Sequence, residues 1–292
     1  MIRLTAAVAA VLLTASACGL RGGDDVEVDV EQARTTAGAV DSSTCLTYDD
    51  LEYCHLAFTP AGVEGTVPLV IDLHGLNGSN LRQRDGSGFQ ELAITEGFTV
   101  VWPGGQGASW NAGGCCGAAA GDDLDDVGYI RTLVDVVEMN HPIDRDRIYV
   151  TGLSNGCAMA QRLAADASDL VAAVGCMALY LLDEPAPDYG PVPVLEIHGT
   201  DDRLVAYEPA VFDGAVANMA DWAERNGCDA EPVRTEGDGY TTDAWASCEA
   251  DVALITVIDG GHSLYAGMET EVDTARLAWE FVSRYSATDR TN

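Results

Sequence analysis

Ser154 stands in Gly152-Leu153-Ser154-Asn155-Gly156, between the apolar run Arg147-Ile148-Tyr149-Val150 and a helix-like run from Cys157 to Ala164. A serine at a sharp strand-to-helix turn, flanked by glycines that permit the turn, is held out at the top of a sheet as a nucleophile. Its hydroxyl needs a base to take the proton and a carboxylate to orient that base. At turns of this kind the partners follow in chain order, acid first and His second. Downstream of Ser154 the chain has two histidines, His198 and His262. His262 lies in Asp259-Gly260-Gly261-His262-Ser263, directly after the last strand-like run, where the base is expected. His198 closes an earlier strand and reads as structural. The acid is expected in the loop after that strand, where Asp201 and Asp202 both qualify.

Attack on a carbonyl also needs backbone N–H donors for the oxyanion. Asn155, the residue after the nucleophile, offers one at a helix N-terminus. The other is expected from the loop His74-Gly75-Leu76-Asn77-Gly78, with Leu76 as donor because Gly75 permits a close backbone approach. Trp110, in the glycine-rich Trp110-Asn111-Ala112-Gly113-Gly114-Cys115-Cys116-Gly117, reads either as a cleft wall or as part of a disulfide-fixed surface loop. Tyr265, beside His262, is the other expected substrate contact. The acidic run Asp122-Asp123-Leu124-Asp125-Asp126 reads as a helix cap, since acids there favour the positive end of the helix dipole. His55 and His141 carry no partner signal.

These residues must be positioned by a frame, and the frame is legible. Buried strands are expected at 68–74, 98–102, 147–150, 170–174, 192–198 and 252–258. Helical patterns lie between and after them, near 89–96, 125–140, 155–165, 214–226 and 269–285. Strand–helix alternation predicts an α/β fold, a mostly parallel sheet with helices on both faces and functional loops at the strand ends. No internal repeat or Pro/Ser linker divides residues 45–286, which read as one domain followed by a tail at 287–292.

Met1-Ile2-Arg3 and the apolar run from Leu4 to Ala17 read as a signal peptide over 1–17, too short to span a bilayer. Ala15-Ser16-Ala17-Cys18 resembles the signal for lipoprotein processing, with Cys18 as the acylated residue and Ala15 where Leu is usual. The acidic, aromatic-poor segment 18–44 reads as a disordered tether. The formal net charge is −32, and all 15 basic residues are Arg. Such a surface repels phosphate backbones and anionic membranes, so nucleic-acid binding is excluded and membrane contact is expected only through a lipid anchor.

Nine cysteines leave eight to pair once Cys18 is set aside. Cys45–Cys54, Cys228–Cys248 and Cys157–Cys176 are expected pairs, and Cys115-Cys116 reads as a vicinal pair or as shared with another cysteine. This usage fits an exported protein. The Cys and His spacing argues against zinc, and no metal or organic cofactor is expected.

Taken in order, the motifs Leu73-His74-Gly75, Trp110 to Gly117, Asp125 to Ile130, Gly152 to Gly156, His198-Gly199-Thr200-Asp201-Asp202 and Gly260-Gly261-His262-Ser263 resemble the secreted polyhydroxybutyrate depolymerase and feruloyl esterase-like α/β-hydrolases. The resemblance implies an α/β-hydrolase fold and a Ser154–His262–Asp202 triad, since the family's H-G-T-x-D pattern puts the acid at Asp202. It also implies an extracytoplasmic serine esterase working through an acyl-enzyme. Two positions depart from the pattern. Cys157 stands where the family carries Gly or a small residue, and Leu264-Tyr265 stand where Trp-Pro follows the His-Ser. The expected substrates are 3-hydroxyalkanoate oligoesters, with feruloyl or acetyl esters of plant polysaccharides as the alternative. A separate polymer-binding domain has no room in this length. A serine peptidase would share the triad, and a non-catalytic lipid-anchored binding protein would have degraded it.

Overall fold

A computed structural model of the chain describes residues 28–36, 38–208 and 214–288. The expected signal peptide and Cys18 lie outside those residues. Eleven strands form one sheet in the order β1-β2-β3-β5-β4-β6-β7-β8-β11-β10-β9. They are β1 (Val28–Thr36), β2 (Ala39–Tyr48), β3 (Leu51–Thr59), β4 (Val67–Leu73), β5 (Thr99–Pro103), β6 (Ile143–Gly152), β7 (Ala173–Met177), β8 (Val194–Gly199), β9 (Val233–Glu236), β10 (Tyr240–Ala244) and β11 (Val252–Val257). From β5 through β4, β6, β7 and β8 to β11 every pairing is parallel, and the pairings outside this block are antiparallel.

The parallel strands are buried along most of their length because both of their faces are covered. In β4, Leu69, Ile71 and Leu73 join one core layer while Val70 joins the other. The first layer lies under helices α4 (Asp126–Glu138), α5 (Asn155–Asp166) and α6 (Gly214–Arg225). The second lies under α2 (Phe89–Glu96) and α7 (Thr274–Val282). Two short helices, α1 (Asn80–Ser87) and α3 (Gly117–Gly121), sit in the connections. Ser79 caps α1 by accepting the Arg82 N–H, and Asp125 caps α4 by accepting the Gly128 N–H. The acidic run at 122–126 therefore includes a helix cap, and its last member, Asp126, is buried and accepts the Asn111 N–H at 2.7 Å.

The sheet begins earlier than residue 45, which corrects the later part of the expected tether. β2 alternates buried Ser42, Thr44 and Leu46 with more exposed residues, and it pairs with β3 along its whole length. Asp41 also bridges Arg84 at 2.8 Å. A segment rich in Ser and Thr looks disordered by composition, but a strand with a paired neighbour needs only period-2 burial to stay in the sheet. The hairpin closes at Asp49 and Asp50, both at positive φ, as a two-residue turn between twisted strands requires. Cys45 lies directly opposite Cys54 and is bonded to it. The other bonded pairs are Cys115–Cys116, Cys157–Cys176 and Cys228–Cys248.

Candidate active site

β6 runs into the elbow and α5 runs out of it. Between them Ser154 adopts φ 56° and ψ −124°, a strained conformation for a residue with a side chain. It is held there from both sides: its N–H donates to Met177 O at 2.8 Å, and its carbonyl accepts the Cys157 N–H at 2.7 Å. The flanking glycines are a packing requirement. A Cβ on Gly152 would stand 2.6 Å from Leu73 O, and one on Gly156 would meet Leu73 O and lie 2.7 Å from His74 O. The end of β4 passes too close for any side chain at either position.

The loop after β4 then crosses the serine. A Cβ on Gly75 would lie 3.2 Å from Leu153 O and 3.5 Å from Ser154 Cβ. His74 anchors this loop. Its Nε2 accepts the Gly105 N–H at 3.0 Å, so its proton sits on Nδ1 and donates to Gly75 O at 2.9 Å. Burial holds its pKa below the usual histidine range. Among the described residues, neither the Leu76 N–H nor the Asn155 N–H has a hydrogen-bond acceptor. One belongs to the crossing loop and the other to the first residue of α5.

The loops after β8 and β11 are locked together. A Cβ on Gly199 would collide with Gly260 O, Thr200 N–H donates to Val257 O at 3.1 Å, and Asp201 N–H donates to Gly260 O at 2.9 Å. That contact brings Asp202 to His262: Nδ1 of His262 lies 2.7 Å from Asp202 Oδ2. The other carboxylate oxygen accepts the N–H groups of Leu204 and Val205, each at 2.8 Å. Asp201 is exposed while Asp202 is 8% exposed. Burial alone would raise the pKa of Asp202, but hydrogen bonds from His198, His262 and the Val205 N–H outweigh it and hold the carboxyl well below the usual range. The Ser154 hydroxyl, part-exposed, makes no hydrogen bond among the described residues.

A cleft of about 200 Å³ opens beside the crossing loop and is lined by Leu76, Arg82, Gln83, Leu153, Tyr265 and Met268, among others. Arg82 is exposed and forms no ion pair among the described residues. Tyr265 forms a wall of this cleft, but its side chain is almost wholly buried and its hydroxyl accepts from Gln83 Nε2 at 2.6 Å. The second proton of that amide goes to Asp72, itself buried and also bonded to Trp102 Nε1. Burial pushes the Asp72 carboxyl up to about 6, against the hydrogen bonds from Gln83 and Trp102.

Trp110 does not line the cleft. It is 0% exposed, its indole N–H donates to His74 O at 2.9 Å, and its backbone is clasped by the Asn155 amide. A large aromatic with a satisfied N–H is more stable under the loop than in water, so it props the loop from below. The Asn155 side chain, with bonds of 2.7 and 3.0 Å to Trp110 N–H and C=O, joins the elbow to this prop. Sequence reasoning named Asn155 for its backbone and missed its side chain. Asn is a poor choice inside a helix, and that was the available signal. His141 is structural, with both ring nitrogens bonded to Ser42 and Thr59.

Comparison with known proteins adds to this geometry. Feruloyl esterase B of Piromyces equi is 30% identical over 251 residues, covering 78% of this chain and 44% of that protein. Poly(3-hydroxyalkanoate) depolymerase C of Paucimonas lemoignei is 34% identical over 120 residues, covering 39% of this chain and 28% of that one. The chain thus spans less than half the length of either relative. The solved acetyl xylan esterase from Aspergillus awamori superposes with a TM-score of 0.62 at 16% identity, over 79% of this chain and 94% of that one, which establishes the α/β-hydrolase fold. The model of the Esterase PHB depolymerase family matches residues 51–216, from β3 through the elbow to the start of α6, and the chain belongs to that family.

Proposed function

We propose that the chain is a serine esterase that cleaves carboxylic esters through an acyl-enzyme. Ser154 Oγ attacks the ester carbonyl while His262 takes its proton. Asp202 keeps the Nδ1–H tautomer of His262 in place and stabilises the imidazolium. The Leu76 and Asn155 N–H groups receive the oxyanion; loss of one such donor lowers turnover by about 10²–10³-fold in comparable sites. His262 then returns the proton to the leaving alcohol, and water repeats the sequence on the acyl-enzyme. The observation that carries this reading is the strained Ser154 at the elbow together with the 2.7 Å His262–Asp202 bond on the adjoining loops. Ser154→Ala is expected to abolish hydrolysis of short p-nitrophenyl esters with the fold intact by circular dichroism. A phosphonofluoridate should label Ser154 in the parent chain, seen as a mass increment on the elbow peptide. Substantial activity in the Ala variant would sink the assignment.

For the substrate, Arg82 on the cleft, without an ion-pair partner among the described residues, favours an ester that carries a free carboxylate, as an oligomer of 3-hydroxy acids does. Feruloyl and acetyl esters of polysaccharides are the second reading, supported by the relative named feruloyl esterase B. Release of 3-hydroxybutyrate from short oligomers, compared with release of ferulate from model esters, separates them. The eight paired cysteines support an oxidising, extracytoplasmic location, and the run Ala15-Ser16-Ala17-Cys18 supports Cys18 as a lipid anchor. Mass spectrometry of the mature N-terminus tests that.

A further inference from the structure

Behind the proposed triad acid lies a second histidine that the reaction does not touch. His198, the fifth residue of β8, is wholly buried. Its Nε2 lies 3.0 Å from Val205 O and 3.4 Å from Asp202 Oδ2, the same oxygen that receives His262. Its Nδ1 lies 2.7 Å from Glu196 Oε1. We propose that His198 is a permanently charged imidazolium, donating from both nitrogens, and that it acts as a positioning residue that holds the Asp202 carboxylate in place for His262.

Hydrogen bonding fixes the proton on Nε2, because a backbone carbonyl only accepts. The proton on Nδ1 follows from Glu196. That carboxylate is fully buried on the same strand, and its second oxygen accepts the Asn218 amide of α6 at 2.6 Å. Asn218 Nδ2 also meets Gln161 Oε1 of α5, at 3.0 Å. Burial pushes the Glu196 carboxyl up, and the hydrogen bonds from His198 and Asn218 oppose that by favouring the ionised form. Two carboxylates thus face one imidazole ring in a dry site. A neutral ring would leave both negative charges without a buried counter-charge, a costly arrangement.

Aromatic rings complete the enclosure. Tyr180 is nearly parallel to the imidazole, with centroids 5.8 Å apart and 15° between planes, and Tyr207 approaches at 6.0 Å and 62°. The parallel Tyr180 ring at this distance favours a cation beside its face. Burial by itself would lower the pKa of His198, but its interactions with Asp202 and Glu196 outweigh that and raise it to about 10. The charged or titratable groups around the ring are Glu196, Asp202, Tyr180 and Tyr207, with His262 beyond Asp202. His198 converts what would be a doubly negative pocket into a singly negative one. It also sets a positive charge 3.4 Å behind Asp202 Oδ2, so that the carboxylate neither rotates away from His262 nor takes up a proton at mildly acid pH.

The role in positioning rests on the esterase reading; the protonation state does not. Long-range 1H–15N spectra of the full chain are expected to show both His198 nitrogens protonated from about pH 5 to about pH 8, with assignment by His198→Gln. A neutral, single-tautomer signal for His198 at about pH 7 would overturn the proposal, whether or not the chain hydrolyses esters. In kinetics, His198→Gln is expected to lower kcat/KM for a p-nitrophenyl ester by about tenfold or more and to move the acid limb of its pH profile upward. Loss of the positive charge beside Asp202 and near His262 makes both groups easier to protonate, so the two shifts have the same sign. A variant that loses thermal stability but keeps the parent acid limb would refute the positioning role. Residual activity in Ser154→Ala would instead refute the esterase reading and leave the imidazolium standing.

Discussion

Truncating Asn155 to Ala tests whether the oxyanion loop is held from beneath. The residue is fully buried, its Oδ1 accepts the Trp110 N–H at 2.7 Å, and its Nδ2 donates to Trp110 O at 3.0 Å. Trp110 O also accepts the Ala112 N–H at 3.1 Å, so truncation strands the Trp110 N–H completely but only weakens the satisfaction of its carbonyl. A stranded buried donor costs about 1–3 kcal/mol and one lost amide–carbonyl bond about 0.5–1.5 kcal/mol, so about 3 kcal/mol is expected. For a domain of this size that corresponds to a fall in Tm of roughly 6–12 °C, readable by calorimetry. Activity should fall as well, although the backbone N–H at 155 survives. Trp110 holds His74 O through its indole, and a loop shift of about 1 Å lowers turnover by about 10²-fold. A companion variant, Asn155→Asp, sharpens the test through pH. Only the protonated carboxyl can donate to Trp110 O, so its pKa in the folded state must lie above the unfolded value. The variant's stability should therefore be greatest below the unfolded pKa and decline as pH rises through the folded one. An Asn155→Ala variant with Tm within about 1 °C of the parent would refute the clasp, as would an Asn155→Asp variant whose stability ignores pH.

Two further outcomes follow from packing. Gly156→Ala forces a methyl against Leu73 O and His74 O and should destabilise by about 1–3 kcal/mol or more, whereas Gly121→Ala, facing open space, should stay within about 0.5 kcal/mol of the parent in urea titrations. Replacing both Cys157 and Cys176 by Ala opens a loop of 19 residues between α5 and β7 and should lower stability by about 3 kcal/mol, seen as an earlier urea midpoint. Equal midpoints for parent and double variant would show that the bridge contributes nothing.

The parallel half of the sheet was legible because strands buried on both faces write themselves as apolar runs. The strand expected at 170–174 lies further on, at Ala173–Met177, since a continuous apolar stretch carries no mark of where pairing starts. β9, whose residues are all exposed, and β10, mostly part-exposed, left no such run and were not read. Neither was α1, a polar helix whose sequence contains Gly86 and carries little apolar periodicity. The helix expected at 269–285 contracts to Thr274–Val282, where Asp273 caps it.

By itself the sequence determined the elbow, because Gly-x-Ser-x-Gly between a strand and a helix is a local constraint: the two glycines are required by chain atoms that any such turn brings near. It also placed the proposed acid and base, in that chain order, in the loops after two strands. Only the tertiary structure decided which side chains hold those loops. Asp202 is distinguished from Asp201 by burial and by the contact of Gly199 with Gly260, residues 61 positions apart in the numbering that meet across β8 and β11. Trp110 became a prop and His198 a partner of Asp202 for the same reason. A side chain's chemistry depends on what surrounds it in three dimensions, and the composition of a loop does not say which of its residues turn inward.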